Sequence, residues 1–186
     1  VKAKGSFLDN KRVIVTAAPH QSGKDEYLMI LMILALDIEV CYLSAKWTMR
    51  RIPIPFIKPK DIDNQGIPWP LGWLQEIVFR KFGAIPVDRK GNSGQYDSVV
   101  QELLKRDAFL LIITPEGRFD ATRFRSSFLY LAKELEAEVM PVQIDYEHDT
   151  LQFLGSLNLD GSEDEVIQRL RICFDGVKGR KSRFKA

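Results

Sequence analysis

The fold is decided by RVIVTAAP, Arg12 to Pro19, a run of β-branched and apolar residues that predicts a buried strand. DEYLMILMILAL, from Asp25 to Leu36, follows it and is long enough for a helix. EVCYLSA, from Glu39 to Ala45, then predicts a second strand. A strand, a helix and a strand in this order are typical of an α/β fold with a largely buried sheet.

The same alternation continues through the rest of the chain. Helices are predicted over LGWLQEIVFRKF, over Gln95 to Arg106, over Ser127 to Ala137 and after Ser162, whose spacing to Glu165 fits a capping box. Strands are predicted over AIPV, FLLIITP, VMPVQIDY and TLQFLG. Pro141 inside VMPVQIDY indicates a sheet edge, a bulge or a pocket wall. We therefore expect an α/β fold in which helices flank a mostly buried mixed sheet.

Length and composition indicate one globular domain, residues 1–186. The chain has 186 residues, of which 45% are hydrophobic and 28% charged, and these values exclude disordered and collagen-like proteins. Cys41 and Cys173 lie far apart in sequence and match no zinc-ligand spacing. We therefore expect reduced thiols, no metal and a cytoplasmic protein.

Three segments bear on contact with a membrane. The longest apolar run, Tyr27 to Leu36, is about half of the ~20 residues that a membrane span needs, so it predicts a buried or interfacial helix. The pattern after Val1 predicts no signal peptide. The basic tail, residues 178–186, either attracts an anionic membrane or nucleic acid or forms a solvated, frayed terminus. We expect no nucleic-acid partner, and possible contact with an anionic membrane at its cytoplasmic face.

Arg50 to Pro70 is rich in proline, which excludes a regular helix or a central strand and predicts a long loop or lid. Six large apolar residues in or near it suit a lipid interface or, alternatively, burial in the core: Ile52, Ile54, Phe56, Ile57, Trp69 and Trp73.

A histidine follows the first predicted strand directly. His20 and Asp25 are five residues apart, so their side chains meet only if His20 precedes the helix and Asp25 lies in its first turn. In that geometry the carboxylate fixes one ring nitrogen and the other takes a proton from a substrate hydroxyl. An alternative is that Ser22 and Asp25 only cap a helix. A phosphate-binding loop is disfavoured because Ala18 stands where glycine is needed.

Polar clusters also follow two later strands. GAIPVDR, from Gly83 to Arg89, delivers an Asp-Arg pair to the end of a short strand. Pro115 to Arg118 reads PEGR and follows an apolar strand. Ligands of open α/β sheets bind at strand ends of this kind, although an ordinary ion pair is the alternative for the first cluster.

Taken in this order, these segments resemble the glycerolipid acyltransferase family typified by 1-acylglycerol-3-phosphate acyltransferase. His20 to Asp25 corresponds to its H-x-x-x-x-D motif, and Gly83 to Arg89 to its G-x-I-P-V-D-R motif. Pro115 to Arg118 corresponds to P-E-G-T-R, and Val139 to Val142 to the V-P-V segment. The resemblance spans roughly Val13 to Val142 and implies a glycerol-3-phosphate acyltransferase-like fold.

The resemblance implies transfer of a fatty acyl group from coenzyme A or acyl carrier protein to a hydroxyl of a lysophospholipid or glycerol-phosphate acceptor. No metal or prosthetic group is implied. His20 would be the general base, and Asp25 would orient it. The acceptor's phosphate or head group would be held by Ser22, Arg89, Glu116, Gly117 and Arg118. Backbone amides near Gly23 and the side chain of Lys46 are candidates for stabilising the oxyanion.

The chain departs from the family pattern at the third motif. Arg118 follows Gly117 without the intervening threonine, which displaces the arginine and leaves head-group selectivity open. Arg125 is followed by Ser126 and Ser127 where the family often has a glycine, so a close backbone approach is altered. An alternative function is therefore a catalytically silent protein of the same fold that binds lipid phosphate or acyl carrier protein. A phosphotransferase is a remote third possibility.

Overall fold

The computed structural model describes residues 11–21, 25, 28, 40–46, 48–52, 67–68, 70–87, 95–117 and 123–185. The chain divides into two compact units, which we describe separately. Unit 1 comprises Val1–Glu39 and Asp107–Ala186, and unit 2 comprises Val40–Arg106. The α/β class, the mixed sheet and the flanking helices are confirmed, whereas the extent of a single domain over residues 1–186 stays a prediction.

Unit 1 is built on four strands in the order β6-β1-β7-β8. Their bounds are β1 Arg12–Ala18, β6 Phe109–Ile113, β7 Glu138–Asp145 and β8 Thr150–Phe153. β1 pairs in parallel with both β6 and β7, and β8 pairs antiparallel with β7. Three neighbouring strands therefore end at the same edge of the sheet, which is the edge where α/β proteins bind ligands.

The core of unit 1 lies between this sheet and two helices, α3 Ser127–Leu135 and α4 Glu163–Ile172. β1 is buried from Val13 to Ala18, as its apolar sequence predicts. The helices bury Phe128, Leu131, Leu135, Val166 and Leu170. Each such side chain stabilises the fold by about 1.5–3 kcal/mol, so this core holds the strand ends in fixed positions. The capping box of Ser162 and Glu165 starts α4 as predicted.

Pro141 does not lie on a sheet edge, so the edge alternative is wrong. Its strand, β7, pairs with β1 on one side and β8 on the other. The Pro141 carbonyl accepts from the Leu154 N–H at 2.9 Å, and the β8 ladder starts one residue later, at Val142. The nitrogen and carbonyl of one strand residue face the same neighbour. The donor that proline lacks therefore falls at the end of the β8 ladder, where its loss is tolerated.

The described residues of unit 2 form two strand pairs and two helices. β2 Val40–Ala45 pairs in parallel with β5 Ala84–Val87, and β3 Arg51–Ile52 pairs antiparallel with β4 Ile67–Pro68. The helices are α1 Gly72–Lys81 and α2 Gln95–Leu103, with a 3-10 turn at Thr48–Arg50. The proline-rich segment is thus bounded by the two short strands of a pair. Residues 53–66, and with them Ile54, Phe56 and Ile57, lie outside the described part of the chain.

Helix α1 leaves an apolar face exposed. Trp73, one of the residues predicted to suit a lipid interface, is 57% exposed, and Phe82 just beyond the helix is 58% exposed. The other exposed large apolar residues of this face are Leu71, Leu74, Ile77 and Val78. A contiguous apolar surface of this kind is typical of a binding face rather than of an ordinary solvated helix.

Both cysteines are free thiols, as expected. Cys41 is a core residue, whereas Cys173 is only half-buried. Two helices end earlier than predicted: α2 ends at Leu103 and α3 at Leu135, before a left-handed Glu136 that ends the helix. No helix in the described ranges is both long enough and apolar enough to cross a membrane.

Candidate active site

Three polar side chains follow the three parallel strands of unit 1. His20 comes two residues after β1, Glu116 three residues after β6, and Tyr146 directly after β7. β1 lies between the other two strands, so His20 is flanked on both sides. The sheet register therefore gathers residues that are far apart in sequence into one cluster at its carboxyl edge.

The structure brings His20 and Asp25 together. The Nδ1 of His20 lies 3.4 Å from Oδ2 of Asp25. The His20 side chain is 8% exposed and that of Asp25 is completely buried. Asp25 has helical backbone and His20 does not, which is the arrangement that the five-residue spacing requires. The peptide bond before Pro19, next to His20, is cis.

Asp25 is fixed by two hydrogen bonds. The Gln21 N–H donates to Oδ2 at 2.7 Å, and the Tyr146 hydroxyl donates to Oδ1 at 2.5 Å. Each carboxylate oxygen thus has a donor of its own, and these donors hold the plane of the carboxylate in one orientation. Asp25 is therefore positioned to face the Nδ1 of His20.

Glu116 is buried and bonds to the backbone of His20. The backbone N–H of His20 donates to its Oε2 at 3.0 Å and to its Oε1 at 3.2 Å. The pKa of Glu116 is raised to about 7, mainly by burial, with the nearby Asp25 charge adding to the rise and the His20 N–H and side chain opposing it. Glu116 therefore anchors the backbone of His20 and changes charge near neutral pH.

Gly117 follows Glu116 in a left-handed conformation, with φ of 67°. A Cβ at this position would stand 3.1 Å from Nε of Arg125, so the arginine side chain lies directly over the glycine. The Arg125 N–H also donates to the Pro115 carbonyl at 2.8 Å. Glycine is required here because other residues rarely adopt this φ and because the arginine occupies the space.

Gln21 connects the site to the C-terminal hairpin, which we define as residues 176–185. The hairpin is closed by backbone hydrogen bonds from Gly179 to Ser182 and from Phe184 to Val177. Residues 178–185 are therefore not frayed, because the segment pairs with itself and packs Phe184 against Phe124 and Phe174, although its tip from Arg180 to Ser182 is exposed to solvent as that alternative predicted.

Four hydrogen bonds join Gln21 to the tip of this hairpin. Its side-chain oxygen accepts from the N–H groups of Lys181 and Ser182 at 2.7 and 3.0 Å. Its side-chain nitrogen donates to the Ser182 hydroxyl at 3.0 Å and carbonyl at 3.2 Å. A Cβ on Gly179 would stand 2.6 Å from the Gln21 amide carbon, so only glycine permits this approach.

Of the predicted site residues, the structure unites His20, Asp25, Glu116 and Gly117. Ser22, Arg89 and Arg118 lie outside the described residues, as does Gly23. Sequence reasoning missed Tyr146 and Gln21. Tyr146 carried one usable signal, because it follows a predicted strand just as His20 and Glu116 do, whereas nothing in the local sequence marked Gln21 as a link to the hairpin.

This α/β arrangement has the parts of a general acid–base site, namely a buried histidine, a carboxylate held against its Nδ1 and a strand-end location. Residues 70–145 match the family model described as Acyltransferase. The match covers somewhat under half of the chain and confirms the resemblance to the acyltransferase family over those residues, including Glu116 and Gly117. His20 and Asp25 lie outside it. No curated protein and no solved structure matches the chain.

Proposed function

We propose that this protein moves a fatty acyl group from a thioester of coenzyme A or acyl carrier protein to a hydroxyl of a lysophospholipid or glycerol-phosphate acceptor. The family match supports acyl transfer in general. The observation that carries the finer proposal is the buried His20–Asp25 pair, with 3.4 Å between Nδ1 and Oδ2, because transfer to a hydroxyl needs a base oriented in this way.

The reaction follows from this geometry. Asp25 holds the Nδ1 side of the ring, which leaves Nε2 of His20 to take the proton of the acceptor hydroxyl. The oxygen then attacks the thioester carbonyl and forms a tetrahedral oxyanion. Collapse of this intermediate breaks the carbon–sulfur bond, and the departing thiolate receives the proton from Nε2. The ester and the free thiol are the products, and His20 returns to its starting state.

Glu116 supports the base without taking part in the proton transfer. Its carboxyl group accepts the His20 N–H and so fixes the backbone from which the imidazole extends. By resemblance, the acceptor's phosphate or head group would be held by five residues, namely Ser22, Arg89, Glu116, Gly117 and Arg118. Arg125 lies over Gly117 and adds positive charge near the same place. No metal or prosthetic group is needed for these steps, so a chelator should leave the rate unchanged.

We further propose that the protein works at the cytoplasmic face of a membrane without spanning it. The exposed face of α1, with Trp73 and Phe82, supports this location, since aromatic and aliphatic side chains of a surface helix partition into the lipid interface. Lys81 at the end of α1 is exposed and can remain at the level of the anionic head groups.

The test is thiol release from acyl-coenzyme A and acyl carrier protein donors with glycerol-3-phosphate and several lysophospholipids. We expect acceptor-dependent turnover that falls about 10³-fold in His20→Ala, since general bases contribute roughly 10²–10⁴-fold. His148→Ala is the matched control, because it removes the other histidine of the chain, and it should keep the full rate. Tight acceptor binding without turnover would instead favour the catalytically silent alternative that the missing threonine after Gly117 suggests.

A further inference from the structure

The tip of the C-terminal hairpin carries positive charge that the fold does not use. Arg180 and Lys181 are exposed, and within the described part of the chain their side chains make no ion pair. Arg183, by contrast, pairs with Glu147 across 2.6 Å. No acidic residue occurs between residues 176 and 186 to balance the charge. The tip is therefore a local cationic surface.

The hairpin is held in place beside the loop that carries His20 and Gln21. Gln21, which directly follows His20, makes four hydrogen bonds to Lys181 and Ser182. Tyr146, which holds Asp25, donates its backbone N–H to the Lys178 carbonyl at 2.8 Å. Both residues that position Asp25 are thus also bound to the hairpin. The cationic tip is therefore fixed next to the loop that carries His20.

The packing of Phe184 against the protein also holds the hairpin in place. Phe184 stacks within a cluster formed with Phe124 and Phe174, at centroid distances of 5.2 and 6.2 Å. The Arg171 guanidinium lies 5.6 Å from the Phe184 ring. The apolar side chain of the hairpin is therefore turned towards the protein, and residues 178–185 expose no large apolar side chain that could enter a bilayer.

We propose that Arg180 and Lys181 bind the nucleotide phosphates of an acyl-coenzyme A donor, which makes the hairpin tip a donor-binding site. The inference rests on the proposed function and adds to it the identity of the donor and its place. Guanidinium and ammonium groups are the side chains that bind phosphate best in proteins. The family resemblance assigns five residues to the acceptor's phosphate or head group. It assigns no residue to the donor.

Direct binding of coenzyme A tests this site without requiring turnover. Calorimetry with the full chain should show that Arg180→Gln together with Lys181→Gln weakens the affinity for coenzyme A about tenfold, the loss expected for one or two charge-assisted hydrogen bonds. Pantetheine, which lacks the nucleotide phosphates, should bind both proteins equally. The matched control is Lys133→Gln, an exposed charge on α3, which should leave the affinity unchanged.

Kinetics distinguish the donor from other anionic partners. The double variant should raise KM for acyl-coenzyme A about tenfold and leave KM for the acceptor and the rate with acyl-pantetheine unchanged. A rise in KM for the acceptor alone would overturn the proposal, as would a loss of binding to acyl carrier protein or to phosphatidylglycerol vesicles with coenzyme A binding intact. Absence of any coenzyme A binding by the native chain would also overturn it.

Failure of the proposed function would look different. If the native chain binds coenzyme A through Arg180 and Lys181 but transfers no acyl group, the donor site stands and the catalytic proposal fails. If His20→Ala stops turnover while coenzyme A binds as before, both proposals stand. The double variant alters exposed side chains of a hairpin whose backbone bonds remain, and an unchanged melting temperature verifies that its fold is intact.

Discussion

The chain contains two His–Asp pairs, and the pair with the closer contact is not the candidate site. His148 Nδ1 lies 2.7 Å from Asp145 Oδ2, whereas the corresponding distance from His20 to Asp25 is 3.4 Å. His148 is 68% exposed, however, and His20 only 8%. The comparison teaches that a short distance alone does not make a catalytic pair.

What separates the two pairs is how their carboxylates are held. Asp25 is completely buried and takes one donor on each oxygen, from Gln21 and Tyr146. Asp145 lies at the end of β7 beside a solvated turn, where the backbone N–H groups of Glu147 and His148 also donate to it. Water screens charges at such a position, so solvent weakens the interaction between His148 and Asp145.

The largest effect that would sharpen this contrast is expected from Asp25→Asn. The amide keeps the shape but loses the charge that stabilises protonated His20, so we expect kcat/KM to fall about 10²–10³-fold. Steady-state kinetics together with a melting curve measure this. A fall of less than threefold in a folded variant would show that His20 works without its carboxylate.

Glu116→Gln should change how stability depends on pH. Burial raises the pKa of Glu116 to about 7 from an ordinary 4.5, so the unfolded chain loses this proton first as pH rises. The protonated Glu116 carboxyl group therefore stabilises the fold fully below about pH 4.5. As the pH rises towards 7, the free energy of unfolding falls by ~3 kcal/mol. Urea unfolding at pH 5 and pH 8 should show the variant losing less stability than the native protein. An equal loss of stability in the variant and the native protein would contradict the raised pKa of Glu116.

Tyr146→Phe removes one of the two donors that hold Asp25. One hydrogen bond to a charged group is worth about 1.5–3 kcal/mol, and part of it is recovered by water, so we expect kcat to fall about tenfold. Tyr130→Phe, a change to a tyrosine on the α3 surface, is the control and should have no effect on kcat. A purely structural role for Tyr146 would lower the melting temperature and leave kcat of the folded protein unchanged.

The smallest effect is expected from Asp145→Asn. Asp145 hydrogen bonding raises the pKa of His148 and the imidazole in turn lowers the pKa of Asp145. The variant should therefore bring the pKa of His148 down towards its ordinary value, as followed by NMR titration, with kcat unchanged within twofold. A large loss of activity would overturn the distinction between the two pairs.

The sequence predicted the strands of unit 1 well because burial leaves a direct signature. The apolar runs from Val13 to Ala18 and from Phe109 to Ile113 are buried throughout, as their residue types require. The His20–Asp25 contact was also predictable, since five residues joining a strand to a helix allow few geometries. The mistake at Pro141 arose because local sequence does not show which of a strand's two sides a missing N–H would face.

Long-range contacts were beyond sequence reasoning. Tyr146 lies 121 positions from Asp25, and only the parallel register of β1 and β7 brings the two together. The positive charge of residues 178–185 was visible in the sequence, but their contact with Gln21 was not. A single glutamine carries no distinctive signal, and Gly179, which permits the contact, indicates only a turn.

The bond between Gln21 and Ser182 has a consequence for synthesis of the protein. Its partners are separated by 161 positions, so almost all of the chain described here must leave the ribosome before the loop after β1 receives its last support. Until then His20 and Asp25 are close in sequence but lack Tyr146 and the hairpin. A nascent chain would therefore contain His20 and Asp25 well before Tyr146 and the hairpin could support them, and their full arrangement would form only after residue 182 has been made.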